Sequence, residues 1–188
     1  MAATLRYVDP TRPPSAFARA YAAVAATRFA RFISRHINWK LDPLLLRMTG
    51  GRVATTLVFP TALLETQGAR SGAIRRNAII YFNDGDRVTI AASNAGDSTH
   101  PGWYYNLRAH PDVTFGGIPM RAAVVTDDAE LDRLWGLADQ VFPAFANYRH
   151  GAAKSNRTIP IVQLTRREGT PPGTTTSPVS PTTGAGSP

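Results

Sequence analysis

The sequence predicts an α+β protein, a small antiparallel barrel carrying a few helices. Two observations carry that expectation. Between residues 53 and 126 apolar side chains alternate with polar ones in short runs separated by turn residues. Before that stretch, at 15–49, and after it, from Asp127, the spacing becomes helical. The intervals between runs are short, which suits hairpins rather than long crossovers.

In chain order, residues 1–14 read as a flexible N-terminus and 15–49 as a helical segment opened by Pro13-Pro14-Ser15. Within it Arg28, Arg31 and Arg35 share one helix face, and Phe29, Phe32, Ile33 and Ile37 lie roughly opposite. Such a helix either packs on the domain with a solvated basic face or lies on anionic lipid. Pro43 and Gly50-Gly51 punctuate the end of this segment. The main domain spans 50–168. Its candidate strands are "VATTLVF" (53–59), "ALLET" (62–66), "AIRRNAIIYF" (73–82), "DRVTIAAS" (86–93), "VTF" (113–115), "MRAAVVT" (120–126) and "IPIVQL" (159–164). Phe59-Pro60, Gly68 to Gly72, Asn83-Asp84-Gly85 and Gly116-Gly117 supply the turns. Trp103 to Ala109 reads as a short helix. A second opens at an Asp127/Glu130 capping box, buries Leu131, Leu134, Trp135, Ala138 and Val141, and is broken by Pro143. Residues 169–188 hold almost no large apolar side chain and read as a disordered tail.

Composition narrows the chemistry. Cys is absent, so disulfides and thiolate metal sites are excluded. His36, His100, His110 and His150 show no zinc-ligand spacing, and no metal site is expected. Ser71 and Ser93 have no evident base, and no nucleophile elbow occurs, so covalent hydrolysis has no support. Lys and Arg number 21 against 13 Asp and Glu, a formal charge of +8 that favours an acidic partner. No apolar run is long enough to span a bilayer and the N-terminus has no secretory pattern, so a cytoplasmic location is expected, with a peripheral membrane contact through the basic helix as an option.

Two segments invite anion binding. "GARSGAIRR" (68–76) is a glycine-bounded loop with Arg70 inside it and Arg75 and Arg76 on the outgoing strand. Its backbone N–H groups and guanidinium groups suit phosphate; a solvent-exposed basic hairpin has the same sequence. "SNAGDSTHPGWYYNLRAHP" (93–111) ends a strand and enters a helix, with Pro101 suited to the first turn. If the Ser93 to Gly96 stretch lies beside the Gly68 to Gly72 loop, two anion-friendly backbones converge. Trp103 is then either a platform or a core residue.

Together these segments, with "NRTIPIVQL" (156–164), closely resemble the deazaflavin (F420)-dependent nitroreductase family of actinobacteria, over about residues 45 to 166. The resemblance implies a split β-barrel, mostly antiparallel with about six strands, an N-terminal helix and two further helices. It implies an oxidoreductase that transfers hydride from reduced coenzyme F420 to a quinone, an activated enone or a nitro compound. It implies that Arg70, Ser71 and Gly72 cradle the cofactor's phosphate, that Arg75 and Arg76 face its acidic chain, and that Ser93, Asn94, Ala95 and Gly96 lie beside its ring. Trp103, Tyr104 and Asn106 fall on positions covering the phosphate and ribityl region. Phe142, Phe145 and Tyr148 stand where some nitro-reducing relatives carry three tyrosines, which implies a more apolar wall for the acceptor; spacing alone makes Phe142 and Phe145 core residues. Ser93, then Tyr148, then bulk water are the candidate proton donors. Ala69 replaces a residue that is often basic in the family. A menaquinone-like acceptor and peripheral contact with anionic membrane follow from the same resemblance. The rival readings are an FMN-dependent enzyme on a similar barrel, and a basic membrane- or nucleic-acid-binding module acting through Arg28, Arg31 and Arg35; the resemblance argues against nucleic acid.

Overall fold

A computed structural model describes residues 5–12 and 59–167. The expected helix at 15–49, nearly all of the candidate strand 53–59 and the C-terminal tail lie outside the described residues. Six antiparallel strands form a closed barrel: β1 (Thr61–Gln67), β2 (Ile74–Asp84), β3 (Arg87–Ala91), β4 (Asp112–Phe115), β5 (Ile118–Val124) and β6 (Ile161–Arg166), in the order β1-β2-β3-β6-β5-β4. Three helices accompany them: α1 (Gly102–Ala109), α2 (Asp128–Val141) and α3 (Ala144–Ala153).

Alternation places the side chains. In β1, Ala62, Leu64 and Thr66 point inward and are buried, while their neighbours face out. Gly116 and Gly117 both have positive φ, 57° and 81°, which gives β4 and β5 the tight two-residue connection whose twist matches the strands. The β2–β3 connection is Gly85-Asp86; Asn83 and Asp84, expected in the turn, belong to β2. The Asn83 side-chain carbonyl accepts a hydrogen bond from the Val8 N–H at 2.9 Å, and the Tyr81 hydroxyl donates to the Arg6 carbonyl at 2.8 Å. Residues 5–9, expected to be part of a flexible terminus, thus run against the barrel.

Helix α1 is amphipathic over a single short span. Its Trp103, Tyr104 and Leu107 enter the barrel core with Leu64, Tyr81, Ile90, Phe115, Met120 and Leu164. A second core lies outside the barrel wall, where α2 and α3 pack Leu134, Ala138, Val141, Phe142 and Phe145 against Phe82 and Ile161. Asp127 caps α2 by accepting the Glu130 N–H at 2.8 Å. The Glu130 carboxylate does not reach back to complete the box; it pairs with Arg133, which also holds Asp84 of β2 in a two-pronged ion pair.

Two further helices were expected after the N-terminal one, and three α-helices are present among the described residues. Pro143 ends α2 as the sequence suggests, but it also opens α3, because a proline's missing N–H is harmless just before a helix. Arg149 ties α3 to α2 by a two-pronged bond to Asp139 at 2.6–2.8 Å and lies 4.4 Å from the Trp135 ring centroid.

Candidate functional site

Strand β2 is longer than its neighbour β3. The β3 ladder begins at Tyr81, so Ile74–Ile80 pairs with β1 alone. That part of β2 extends past the end of β3, and the chain leaving β3 passes through Ala92 and turns at Ser93–Gly96. The strand expected to run to Ser93 stops at Ala91.

The Gly68–Gly72 loop closes the β1–β2 hairpin. The Gly72 N–H donates to the Gly68 carbonyl and the Gly68 N–H to the Ala73 carbonyl, both at 2.9 Å, and Gly72 has φ +67°. Arg70 and Ser71 are exposed. Arg75 pairs in register with Thr66, whose side chain faces inward, whereas Arg76 pairs with Glu65 on the outer face. Adjacent strand residues point to opposite faces, so the two arginines are divided. Arg76 forms an ion pair with Glu65; Arg70 and Arg75 have no carboxylate partner among the described residues.

Asn106 connects this loop to α1. Its side-chain carbonyl accepts the Ala69 N–H at 3.1 Å and its amide donates to the Thr66 hydroxyl at 3.1 Å. The polar side chain at position 106 thus sits where loop, strand and helix meet.

The Ser93–Gly96 turn is built differently. Ser93 is right-handed (φ −70°), and Asn94, Ala95 and Gly96 come next with φ of 46°, 51° and 78°. A right-handed residue followed by left-handed ones turns successive N–H groups toward one concave side, a shape that binds anions and carbonyl oxygens. The Gly96 N–H bonds the Ser93 carbonyl, but the Asn94 and Ala95 N–H groups meet no acceptor among the described residues. Helix α3 presses directly on the turn. A Cβ on Gly96 would stand 2.8 Å from the Tyr148 carbonyl oxygen, and one on Gly151 would stand 3.0 Å from the Gly96 carbonyl oxygen.

Behind the turn lies Arg157, a residue that sequence reasoning missed. It is buried, 7% exposed. Its guanidinium donates to three backbone carbonyls: Asp97 at 2.7 Å, Ala92 at 3.2 Å and Ser93 at 2.6 Å. It also lies 3.2 Å from His100 Nδ1. Guanidinium cannot accept, so Nδ1 is the acceptor and the imidazole proton is on Nε2. Burial, then the Arg157 and Arg108 charges, hold the His100 pKa below the ordinary histidine value. Burial likewise lowers the Arg157 pKa, although a guanidinium remains charged throughout the physiological range. Asn156 (φ 52°) turns the chain after α3 so that Arg157 points back under Ala92–Asp97.

Trp103 and Tyr104, expected over the cofactor, are 6% and 7% exposed and belong to the barrel core. Phe142 and Phe145 are each 5% exposed; Phe142 meets Phe59 edge to face at 4.7 Å and Phe145 at 5.0 Å. Tyr148 is half-buried, with its ring 5.9 Å from Phe142 and 6.2 Å from Phe145. Of the sequence-predicted residues, Arg70, Ser71, Gly72, Arg75 and Asn106 share one neighbourhood. Ser93, Asn94, Ala95, Gly96 and Tyr148 share a second. Helix α1 joins them, since Asn106 bonds the loop and His100, just before the helix, bonds the Arg157 that holds the turn.

A family model for F420H(2)-dependent quinone reductases matches residues 41–166, which includes every element above except the N-terminal segment. The chain belongs to this family. It is 34% identical to F420H(2)-dependent quinone reductases from two Mycobacterium tuberculosis strains, H37Rv and CDC 1551, over 149 residues, covering 73% of this chain and 98% of each relative. Among solved structures, an F420-H2-dependent reductase is 30% identical, covering 56% of this chain and 93% of that one, with a TM-score of 0.48. A chain described as a domain-swapped dimer is 26% identical, covering 66% and 96%, with a TM-score of 0.50. This F420H2-dependent quinone reductase family member is therefore an oxidoreductase whose cofactor is coenzyme F420. The residues present fit that group: two arginines without a carboxylate partner among the described residues suit its phosphate and acidic chain, and the unfilled N–H pair of the turn suits a carbonyl-bearing ring. Among the described residues no helix is long and apolar enough to cross a membrane.

Proposed function

We propose that the chain reduces a planar quinone of the menaquinone type at a site that spans the Gly68–Gly72 loop on one side and the Ser93–Gly96 turn with Tyr148 on the other. The observation that carries this reading is the joining of the two turns through α1, by Asn106 at one and the His100–Arg157 contact at the other. The chemistry that reduced F420 would supply when bound here is hydride donation. Arg70, Ser71, Gly72 and Arg75 hold its phosphate and acidic chain; Arg76, already matched by Glu65, contributes less. The N–H groups of Asn94 and Ala95 hold the ring, with Gly96 allowing α3 to press close behind. Trp103 and Tyr104 support Asn106 from within the core instead of touching the cofactor with their faces.

Tyr148 lines the acceptor side, and Phe142 and Phe145 fix its ring from beneath. The Ser93 hydroxyl donates a proton to the oxyanion formed on the quinone, with the Tyr148 hydroxyl next in preference. Holding both reactants face to face supplies several of the ~7–11 kcal/mol that ideal orientation can contribute. The basic face of Arg28, Arg31 and Arg35, outside the described residues, binds anionic lipid and brings the enzyme to a membrane quinone.

The test is oxidation of reduced F420, followed by its absorbance, with menadione, a cyclohexenone and a nitroimidazole in parallel. Menadione is expected to react fastest, and the nitroimidazole slowest, because two tyrosine hydroxyls are replaced by Phe142 and Phe145. No turnover of menadione, or tight binding of FMN without binding of F420, overturns the reading. Pelleting with anionic but not neutral vesicles, abolished by salt, is the expected membrane result.

A further inference from the structure

We propose that Arg157 is a positioning residue for the cofactor, drawing the carbonyls of the Ser93 turn to one side so that its N–H groups are presented on the other; this rests on the functional reading above. A buried guanidinium with no carboxylate bonded to it among the described residues needs acceptors, and here they are the main-chain oxygens of Ala92, Ser93 and Asp97 and the ring nitrogen of His100. Those oxygens span the whole turn. With them fixed, the Ser93–Asn94 peptide plane is set by Arg157, and the Asn94–Ala95 plane follows from the Asp97 N–H bonding the Asn94 carbonyl at 3.0 Å. A donor cannot face a donor, so the free Asn94 and Ala95 N–H groups are left on the side away from Arg157.

The left-handed conformation of Asn94 and Ala95 supports the assignment. Neither residue is a glycine, and Ala95 has no side-chain oxygen to bond its own backbone, so the turn is costly unless its surroundings impose it. Arg157 from beneath and the backbone of α3 at Tyr148–Gly151 from the flank impose it, alongside the Asn94 side-chain amide, which donates to the Thr99 carbonyl at 2.9 Å. Of these, only Arg157 donates hydrogen bonds to the carbonyls of Ala92 and Ser93. A lysine at 157 keeps the charge but cannot span acceptors on both sides of the turn as a planar fork does.

The experiment compares the full chain with Arg157→Lys and Arg157→Gln by three readouts: amide exchange of the peptide covering 92–100 without cofactor, F420 affinity by fluorescence titration, and menadione kcat and KM. In Arg157→Lys, which should keep a cooperative unfolding transition, exchange at the turn is expected to rise well above that of the β1 and β6 peptides. F420 affinity should fall about tenfold or more, the loss expected for one charge-assisted hydrogen bond, with menadione KM nearly unchanged. Parent-like exchange and affinity in either folded variant overturns the proposal. So does an equal rise in exchange across all strands, which marks a purely structural role. A parent chain that binds no F420 overturns the functional reading, and the exchange comparison then decides by itself whether Arg157 sets the turn.

Discussion

The Gly68–Gly72 loop and the Ser93–Gly96 turn each come after a strand and carry a left-handed glycine, yet they are held in different ways. The first is a hairpin end in solvent, tied to the body by one side chain, Asn106. Its charges remain on the surface, and Gly72 has only the end of the Gln67 side chain within 4 Å of where a Cβ would stand. The second is clamped between a buried guanidinium and the backbone of α3. The loop therefore offers side-chain charge and tolerance, and the turn offers backbone donors in a fixed geometry. A ligand with a flexible acidic chain and a rigid ring needs both.

Matched substitutions sharpen that contrast. Gly96→Ala is expected to have the largest effect, because a Cβ meets the Tyr148 backbone at 2.8–2.9 Å and the residue has φ +78°. Strain and overpacking together should cost about 2–5 kcal/mol, read as a lower denaturation midpoint, with loss of F420 binding. Gly72→Ala, strained only by its φ of +67°, should cost about 1–2 kcal/mol. An equal loss at the two glycines would break the comparison.

Asn106→Ala removes two hydrogen bonds and leaves the buried Thr66 hydroxyl without its donor. A loss of about 1–2 kcal/mol in stability is expected, with F420 affinity reduced several-fold. Arg75→Ala should leave the melting temperature unchanged and weaken F420 by about threefold to tenfold at low salt, less at high salt. Arg76→Ala should weaken it less, because Glu65 already neutralises that charge. The reverse ranking would place the ligand on the outer face of the hairpin.

The smallest effect is pH dependence at the turn. His100 faces Arg157, Arg108 and the rings of Tyr104 and Tyr105. Its folded pKa lies below the unfolded value of 6.5. The unfolded chain therefore takes up the proton first as pH falls. The stability from neutral His100 is present above about pH 6.5 and is lost below it, through the folded pKa. Asp84, lowered chiefly by its bond to Arg133, acts in a separate window beginning near its unfolded value of 3.8. Urea midpoints at pH 7.5 and 5.5 should differ in the parent and converge in His100→Asn; an unchanged difference would remove His100 from the account.

Most of the barrel was legible. Alternation located all six strands, with the largest error at β5 and β6, each displaced by two residues. Pro119 made β5 look as if it began at Met120, yet Ile118 and Pro119 pair with β4. Helix α3 was not legible, because Pro143 marks only an end in the residue pattern, and one residue can both terminate α2 and open the next helix. Arg157 was visible only as part of the "NRTIPIVQL" segment, with no role attached, since a buried arginine bonded to main-chain oxygens has no partner residue type to look for in a sequence.

The residue pattern by itself determined the strand faces, the glycine turns, the Asp127 cap and the excess of basic charge, because each depends on neighbours within a few positions along the chain. Tertiary structure alone decided that Glu65 neutralises Arg76 and leaves Arg75 without a carboxylate among the described residues, that Trp103 is packed in the barrel core, and that Arg157 lies beneath a turn more than sixty residues earlier in the chain. Those outcomes depend on which surfaces meet when the barrel closes, and burial and hydrogen-bond satisfaction are settled only by that meeting.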